Sequence, residues 1–139
     1  MLEYYDIIQE THKEWEDKFG DFIEGLRSRG VCVILFGSKA LQRDNLLSDF
    51  DIAIITKDSK FKLDLEVDFP AEVFVYTAEE CLKEIKSKNT ILLDAFTLGK
   101  LLFDNIGVYN DLKNEVEEIA MGLVRTSDGW IAKEIAEKT

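Results

Sequence analysis

The segment VCVILFGSKALQRDNLLSDFDIAIIT, residues 31–56, contains two apolar runs separated by a Gly-Ser pair and a more polar stretch. The first run, Val31–Phe36, is apolar on both faces and therefore predicts a fully buried strand. Gly37 permits a sharp turn and a close approach of a ligand to the backbone. Ser38 is a favourable N-cap for a short helix over residues 39–46. The free N–H groups at such a helix start form an anion site, most often for phosphate.

Two aspartates open the second apolar run of this segment. Asp49 and Asp51 are two positions apart, so in a strand they project from the same face with their Cα atoms about 6.6 Å apart. Carboxylates this close repel each other, and one becomes neutral unless a cation lies between them. Mg²⁺ is commonly held by one or two carboxylates together with substrate phosphates. The pattern therefore indicates a metal and triphosphate site, with a strand entry bearing two solvated acids as the alternative.

The Gly-Ser pair and the two aspartates together resemble the signature of the DNA polymerase β-like nucleotidyltransferase superfamily, in particular its minimal nucleotidyltransferase branch. In that family an apolar strand ends in Gly-Ser and is followed at a set spacing by Ser-Asp-x-Asp. The matching positions here are Gly37, Ser38, Ser48, Asp49 and Asp51. The resemblance implies an α/β (α+β) nucleotidyltransferase fold, in which a mixed β-sheet is flanked by helices, including a long N-terminal helix and C-terminal helices.

The family also has a third carboxylate on a later strand. Residues 71–80, AEVFVYTAEE, resemble that strand and the helix start after it, with Glu72 in place of the more usual Asp. The alternating residues 62–69 offer Asp68 as an alternative third carboxylate. The acids of that segment are more simply explained as the solvated face of an edge strand, which Pro70 ends. Glu72 is preferred because its strand runs unbroken into a helix, as in the family pattern.

The resemblance implies roles for the matched residues. Asp49, Asp51 and Glu72 would be the catalytic carboxylates and would bind two Mg²⁺ or Mn²⁺ ions. The residues expected to contact the triphosphate are Gly37, Ser38, Lys39 and Ser48. The substrate would be a nucleoside triphosphate, with ATP as the first expectation. Its nucleoside monophosphate would be transferred to a hydroxyl group of a protein or of a small molecule.

The chain departs from the family pattern at residues 41–42, where Leu-Gln stands in place of a common Arg-Gly. This change removes a basic side chain from the triphosphate side of the expected site. Two alternatives therefore stay open. One is a module that binds a nucleotide or a partner with weak or no turnover. The other, implied by the resemblance, is an antitoxin that keeps the transfer chemistry and modifies a HEPN-type toxin.

Composition bounds the class of protein. The chain has 139 residues, of which 46% are hydrophobic and 32% charged, which predicts one globular domain over residues 1–139. Within it we expect a core over residues 31–105 and a helical arm over residues 108–139. The net charge of −11 disfavours general nucleic-acid binding, which requires a basic surface. Without a recognisable signal peptide or membrane-spanning run, a cytoplasmic location with reduced thiols is expected.

Hydrophobic periodicity predicts the remaining elements. One amphipathic helix should extend from the N-terminus to about residue 29 and cover the sheet. After the strand that bears Glu72, Thr77 should cap a helix, and a second helix should span residues 90–99, with Asp94 solvated on its surface. A brief strand is predicted over residues 100–104.

Apolar spacing predicts a further helix from Tyr109 to about Leu123 and a final short helix over residues 130–138. The C-terminal arm either packs against its own domain or uses an exposed Trp130 and Ile131 to dock a second copy of the chain or another partner.

Overall fold

The computed structural model describes residues 4–37, 39, 49–61 and 67–137. The helices in these ranges are α1 (Tyr4–Arg27), α2 (Ala78–Lys86), α3 (Thr90–Leu98), α4 (Tyr109–Ala120) and α5 (Lys133–Glu137). The strands are β1 (Val31–Phe36), β2 (Phe50–Thr56), β3 (Ala71–Thr77), β4 (Lys100–Asp104), β5 (Leu123–Thr126) and β6 (Gly129–Ala132). This mixed α and β architecture confirms the predicted fold class.

The four longer strands form one mixed sheet in the order β3-β2-β1-β4. Strand β1 is antiparallel to both β2 and β4, whereas β2 and β3 are parallel. All six residues of β1 are buried, and β2 is buried except at Asp51. The two central strands are apolar on both faces because helices cover the sheet from both sides.

Two apolar layers lie against the sheet, one on each face. Alternate residues of the central strands, such as Val33 and Ile54, pack with Ile23 and Leu26 of α1. The intervening residues, such as Ile34, pack against α2, α3 and α4. We call these the α1 layer and the α2–α4 layer. The predicted role of the N-terminal helix as a cover of the sheet is confirmed.

Both cysteines lie in the α2–α4 layer. Burial is the main cause that raises the pKa of Cys32 to about 12, and it raises the pKa of Cys81 to the same value. The two thiols therefore stay protonated at neutral pH and behave as small core side chains.

The C-terminal arm differs from the prediction. The expected helix over residues 130–138 is confirmed only for Lys133–Glu137, which form α5. Residues 130–132 belong instead to an antiparallel hairpin of β5 and β6. Helix α4 ends at Ala120, so Leu123 lies in β5 and not on the helix. The turn depends on Gly129, whose φ of +125° is rare for residues with a Cβ atom.

Asp94 of α3 holds this hairpin, and so it is not a freely solvated side chain. Its Oδ1 atom accepts a hydrogen bond of 2.8 Å from Nε1 of Trp130 and one of 3.0 Å from Nε of Arg125. Trp130 is half-buried against the α2–α4 layer, which corrects the prediction that it is exposed for docking. Ile131 is also half-buried.

Asp94→Ala should therefore loosen the hairpin. It removes the acceptor of both hydrogen bonds, and we expect a loss of about 1–3 kcal/mol in the free energy of unfolding. The emission of Trp130 should shift to longer wavelength in a Trp15→Phe background, in which Trp130 is the only tryptophan. Asp111→Ala, which removes an exposed carboxylate from α4, serves as the control. An unchanged emission spectrum in Asp94→Ala would contradict the proposed anchoring.

Two predicted elements lie largely outside the described residues: the helix over residues 39–46 and the strand over residues 62–69. Of the second, residues 67–69 are described and are not in a strand. None of the helices within the described ranges combines the length and the apolar character that a membrane crossing requires.

Candidate functional site

The sheet register brings the candidate residues together at one end of the sheet. Phe36, the last residue of β1, pairs with Asp51 of β2, and Asp51 pairs with Glu72 of β3. Gly37 follows Phe36, and Asp49 precedes β2 by one residue. We call the set Gly37, Asp49, Asp51 and Glu72 the acidic end of the sheet.

Asp51 and Glu72 are direct neighbours on parallel strands. Paired residues of adjacent strands point to the same face, and their strands lie about 4.8 Å apart. That face is the one that carries the α2–α4 layer, because Ala53 and Phe74, two positions farther along each strand, both pack there. Two carboxylates from different strands therefore converge beside the Gly37 turn.

Gly37 is in contact with Asp51. Its φ of +76° is in the left-handed region, and a Cβ atom at this position would lie 2.1 Å from Oδ2 of Asp51. A side chain at position 37 would therefore displace the carboxylate. The glycine is required both by its backbone conformation and by the position of Asp51.

The charge of Asp51 is disfavoured at the acidic end. Burial is the largest cause that raises its pKa from 3.8 to about 6, and repulsion by Glu72 and then by Asp49 adds to it. The three predicted carboxylates thus influence one another electrostatically. A cation at this place would favour the ionised form of Asp51.

The structure distinguishes the two candidates for the third carboxylate. Glu72 lies in β3 opposite Asp51 and contributes to its raised pKa. Asp68 lies in the connection before β3, where its carbonyl oxygen accepts a hydrogen bond of 3.4 Å from Nζ of Lys18. The register therefore places Glu72, and not Asp68, beside Asp51.

Lys39 is placed differently from the acidic residues. Its Nζ atom is buried and lies 4.7 Å from the centroid of the Phe50 ring. Phe50 belongs to the α1 layer, on the opposite face of the sheet from Asp51. No role for Phe50 was predicted, although its place between two aspartates in an alternating strand indicates that its side chain points to the opposite face.

The remaining predicted phosphate contacts, Ser38 and Ser48, lie outside the described residues, as do residues 41–42. Among the predicted triphosphate contacts, the structure therefore describes Gly37 and Lys39.

The donor chemistry of the acidic end fits Mg²⁺, because carboxylate oxygens are the hard ligands that this ion prefers and Asp51 is destabilised in its ionised form. Within the described part of the chain, no three His, Cys, Asp or Glu side chains lie close enough together to hold one metal ion. The fit is therefore to Asp51 with one neighbouring carboxylate. Water and substrate phosphate would supply the other ligands, which is common for Mg²⁺.

Comparisons with known proteins add little at the level of sequence. No protein-family model and no curated protein matches the chain. The chain is similar to a solved structure described as the crystal structure of a toxin-antitoxin with AMP-PNP. The alignment covers 76% of this chain and 86% of that chain, with 20% sequence identity and a TM-score of 0.49. A similarity this low shows nothing about the function of this chain.

Proposed function

We propose that the protein is a Mg²⁺-dependent nucleotidyltransferase that moves a nucleoside monophosphate from a nucleoside triphosphate, with ATP as the first candidate, to an acceptor hydroxyl. The observation that carries the proposal is the pairing of Asp51 with Glu72 beside Gly37. It joins two carboxylates from separate strands to the turn that the Gly-Ser pattern assigns to phosphate.

In the proposed reaction the acceptor oxygen forms a bond to the α-phosphorus, and the bond from that phosphorus to the bridging oxygen breaks, so that pyrophosphate leaves. The proton of the acceptor hydroxyl passes to a carboxylate oxygen of Glu72, which is exposed and therefore accessible to an acceptor. Asp51 and its neighbours would hold Mg²⁺, which neutralises phosphate charge when bound. The rigid register of β2 and β3 supplies the positioning on which phosphoryl chemistry depends.

A screen of labelled nucleoside triphosphates for Mg²⁺-dependent pyrophosphate release tests the proposal. We expect Glu72→Gln to lower the rate about 10- to 1,000-fold, because the variant keeps the shape of the side chain but can neither accept a proton nor supply a charged ligand. Glu79→Gln, an exposed carboxylate in α2, is the matched control and should leave the rate unchanged. Equal rates for the two variants would contradict the role of Glu72.

A second candidate is a module that binds a nucleotide without turnover. It is favoured by the finding that no three metal-ligating side chains are preassembled among the described residues. The HEPN-type toxin that the family resemblance implies would instead be a protein acceptor of the transfer reaction. Calorimetry with ATP separates the candidates. Binding that requires Mg²⁺ and is lost in Asp51→Asn supports the enzyme, whereas binding indifferent to Mg²⁺ supports the module.

A further inference from the structure

We propose that Lys39 is a positioning residue for the proposed transfer reaction and not a ligand of the triphosphate. Its ammonium group holds the turn after β1 against Phe50 and so fixes that turn relative to the strand that carries Asp51. This inference rests on the proposed function, and it reassigns the residue that follows the Gly-Ser pair.

The contact between Lys39 and Phe50 lies inside the protein. The Nζ atom is buried and lies 4.7 Å from the centroid of the Phe50 ring. A cation at this distance from a ring face is attracted by the ring quadrupole, and the attraction is stronger where water is excluded. The buried Nζ atom is therefore not accessible to a triphosphate in this arrangement.

The ring that receives Lys39 is itself fixed. Phe50 stacks on Phe19 of α1 with ring centroids 4.6 Å apart, and Phe69 meets it edge-on at 5.5 Å. Phe50 is 3% exposed, so it has almost no freedom to move towards a ligand. It therefore acts as a rigid anchor for the turn and cannot itself contact a substrate.

The turn is consequently held from both faces of the sheet. Phe50 and Asp51 are consecutive and point to opposite faces. Gly37 lies against the Asp51 carboxylate, and Lys39 lies against the Phe50 ring. These two contacts on adjacent residues of one strand set the distance between the turn and the acidic carboxylates.

A positioning role predicts that Lys39 and Phe50 act as one unit. We expect Lys39→Met, which keeps the length of the side chain but removes its charge, to lower kcat about tenfold with the KM for the triphosphate changed by less than twofold. Phe50→Leu should reproduce this effect, and the double variant should be no worse than the poorer single variant. Lys39→Arg should restore most of the activity, since a guanidinium also binds to ring faces.

Two control variants separate this effect from general loss of stability. Lys113→Met removes a similar contact, with Nζ 5.7 Å from the Tyr109 ring centroid, and should leave kcat unchanged. Phe22→Leu removes a ring that packs edge-on against Phe69, with centroids 5.9 Å apart, and it should also retain kcat.

The outcomes distinguish the inference from the proposed function. If Lys39→Met raises the KM about tenfold or more while Phe50→Leu does not, and the effects multiply in the double variant, Lys39 is a phosphate ligand and the inference is overturned. Unfolding of the same variants tests the contact without any assay of activity. Lys39→Met should raise the unfolding equilibrium constant about fivefold. Phe50→Leu should raise it more, because it also loses the ring contacts with Phe19 and Phe69, and the double variant should show less than the product of the two effects. If Lys39 and Phe50 are coupled in unfolding but the protein neither binds nor turns over any triphosphate, the inferred contact holds and the proposed function is refuted.

Discussion

Asp51→Asn should lower the rate of nucleotidyl transfer by about two to four orders of magnitude and should also make the metal-free protein more stable at neutral pH. The rate falls because the variant lacks a charged carboxylate ligand for Mg²⁺. A bound metal ion stabilises the transition state by several kcal/mol, and each tenfold change in rate corresponds to about 1.4 kcal/mol. A variant that loses activity but gains stability is characteristic of a residue that is needed for chemistry and not for folding.

The gain in stability follows from the pKa of Asp51, which is 3.8 ordinarily and about 6 in the folded chain. The protonated carboxyl is favoured on folding, so its contribution is fully present below about pH 4 and is lost as the pH rises through 6. The difference in pKa corresponds to at most about 3 kcal/mol, and solvent screening of a partly exposed group reduces this to about 1–2 kcal/mol. Asp51→Asn should not lose stability in this way as the pH rises, because an amide does not ionise.

Urea denaturation of both proteins between pH 4 and pH 8, with EDTA present, measures the effect. The difference in unfolding free energy between the variant and the parent protein should grow as the pH rises from 4 to 7. Adding Mg²⁺ should stabilise the parent protein above pH 6 more than the variant. Asp21→Asn, an exposed carboxylate of α1, provides the control. A pH-independent difference, or equal stabilisation of both proteins by Mg²⁺, would show that Asp51 lies in no metal site.

Gly37→Ala should be the most damaging single-methyl change at the acidic end. An alanine at φ +76° is strained by about 1–2 kcal/mol, and its Cβ would lie 2.1 Å from Oδ2 of Asp51, which must then move. Forced movement of a packed group adds about 1–3 kcal/mol, so we expect a total loss of about 2–5 kcal/mol in the free energy of unfolding. Transfer activity should fall at least a hundredfold, because a displaced carboxylate no longer meets Glu72 in register.

Gly107→Ala is a matched control for this prediction. Gly107 has a φ of +71°, close to that of Gly37, but a Cβ atom there would meet nothing within 4 Å. The control therefore reports the backbone strain alone, and the excess in Gly37→Ala reports the contact with Asp51. The double variant Gly37→Ala with Asp51→Ala should recover most of this excess. Equal losses from the two glycine variants would mean that the contact is not important.

Local patterns in the sequence were sufficient for the core of the fold. The apolar runs of β1 and β2, the Thr77 cap and the helical spacing after it all predicted elements that the structure contains, because each depends on near neighbours in the chain. The nearness of Asp49 to Asp51 follows from their spacing, although Asp49 itself precedes β2. The catalytic roles of these residues stay predictions.

Contacts between distant parts of the chain were not predictable in this way. Asp94 looked like an ordinary surface carboxylate because its partners, Arg125 and Trp130, lie more than thirty residues later. The hairpin at residues 123–132 had a local signal, an Asp-Gly pair between β-branched and aromatic residues, but a short apolar pattern also fits a helix. The side on which Lys39 lies depends on the aromatic cluster assembled by α1, which no single segment specifies.

The separation of the α1 layer from the α2–α4 layer by the sheet has a consequence for engineering the protein. Side chains in different layers share no packing partners, so the effects of their substitutions on unfolding should add. Stabilising substitutions can therefore be made in the α2–α4 layer, away from Phe36 and Phe74, without changing the aromatic cluster of Phe19, Phe50 and Phe69 in the α1 layer. The α1 layer thus preserves the position of Phe50, and only the part of the α2–α4 layer that lies away from Asp51 and Glu72 is open to substitution.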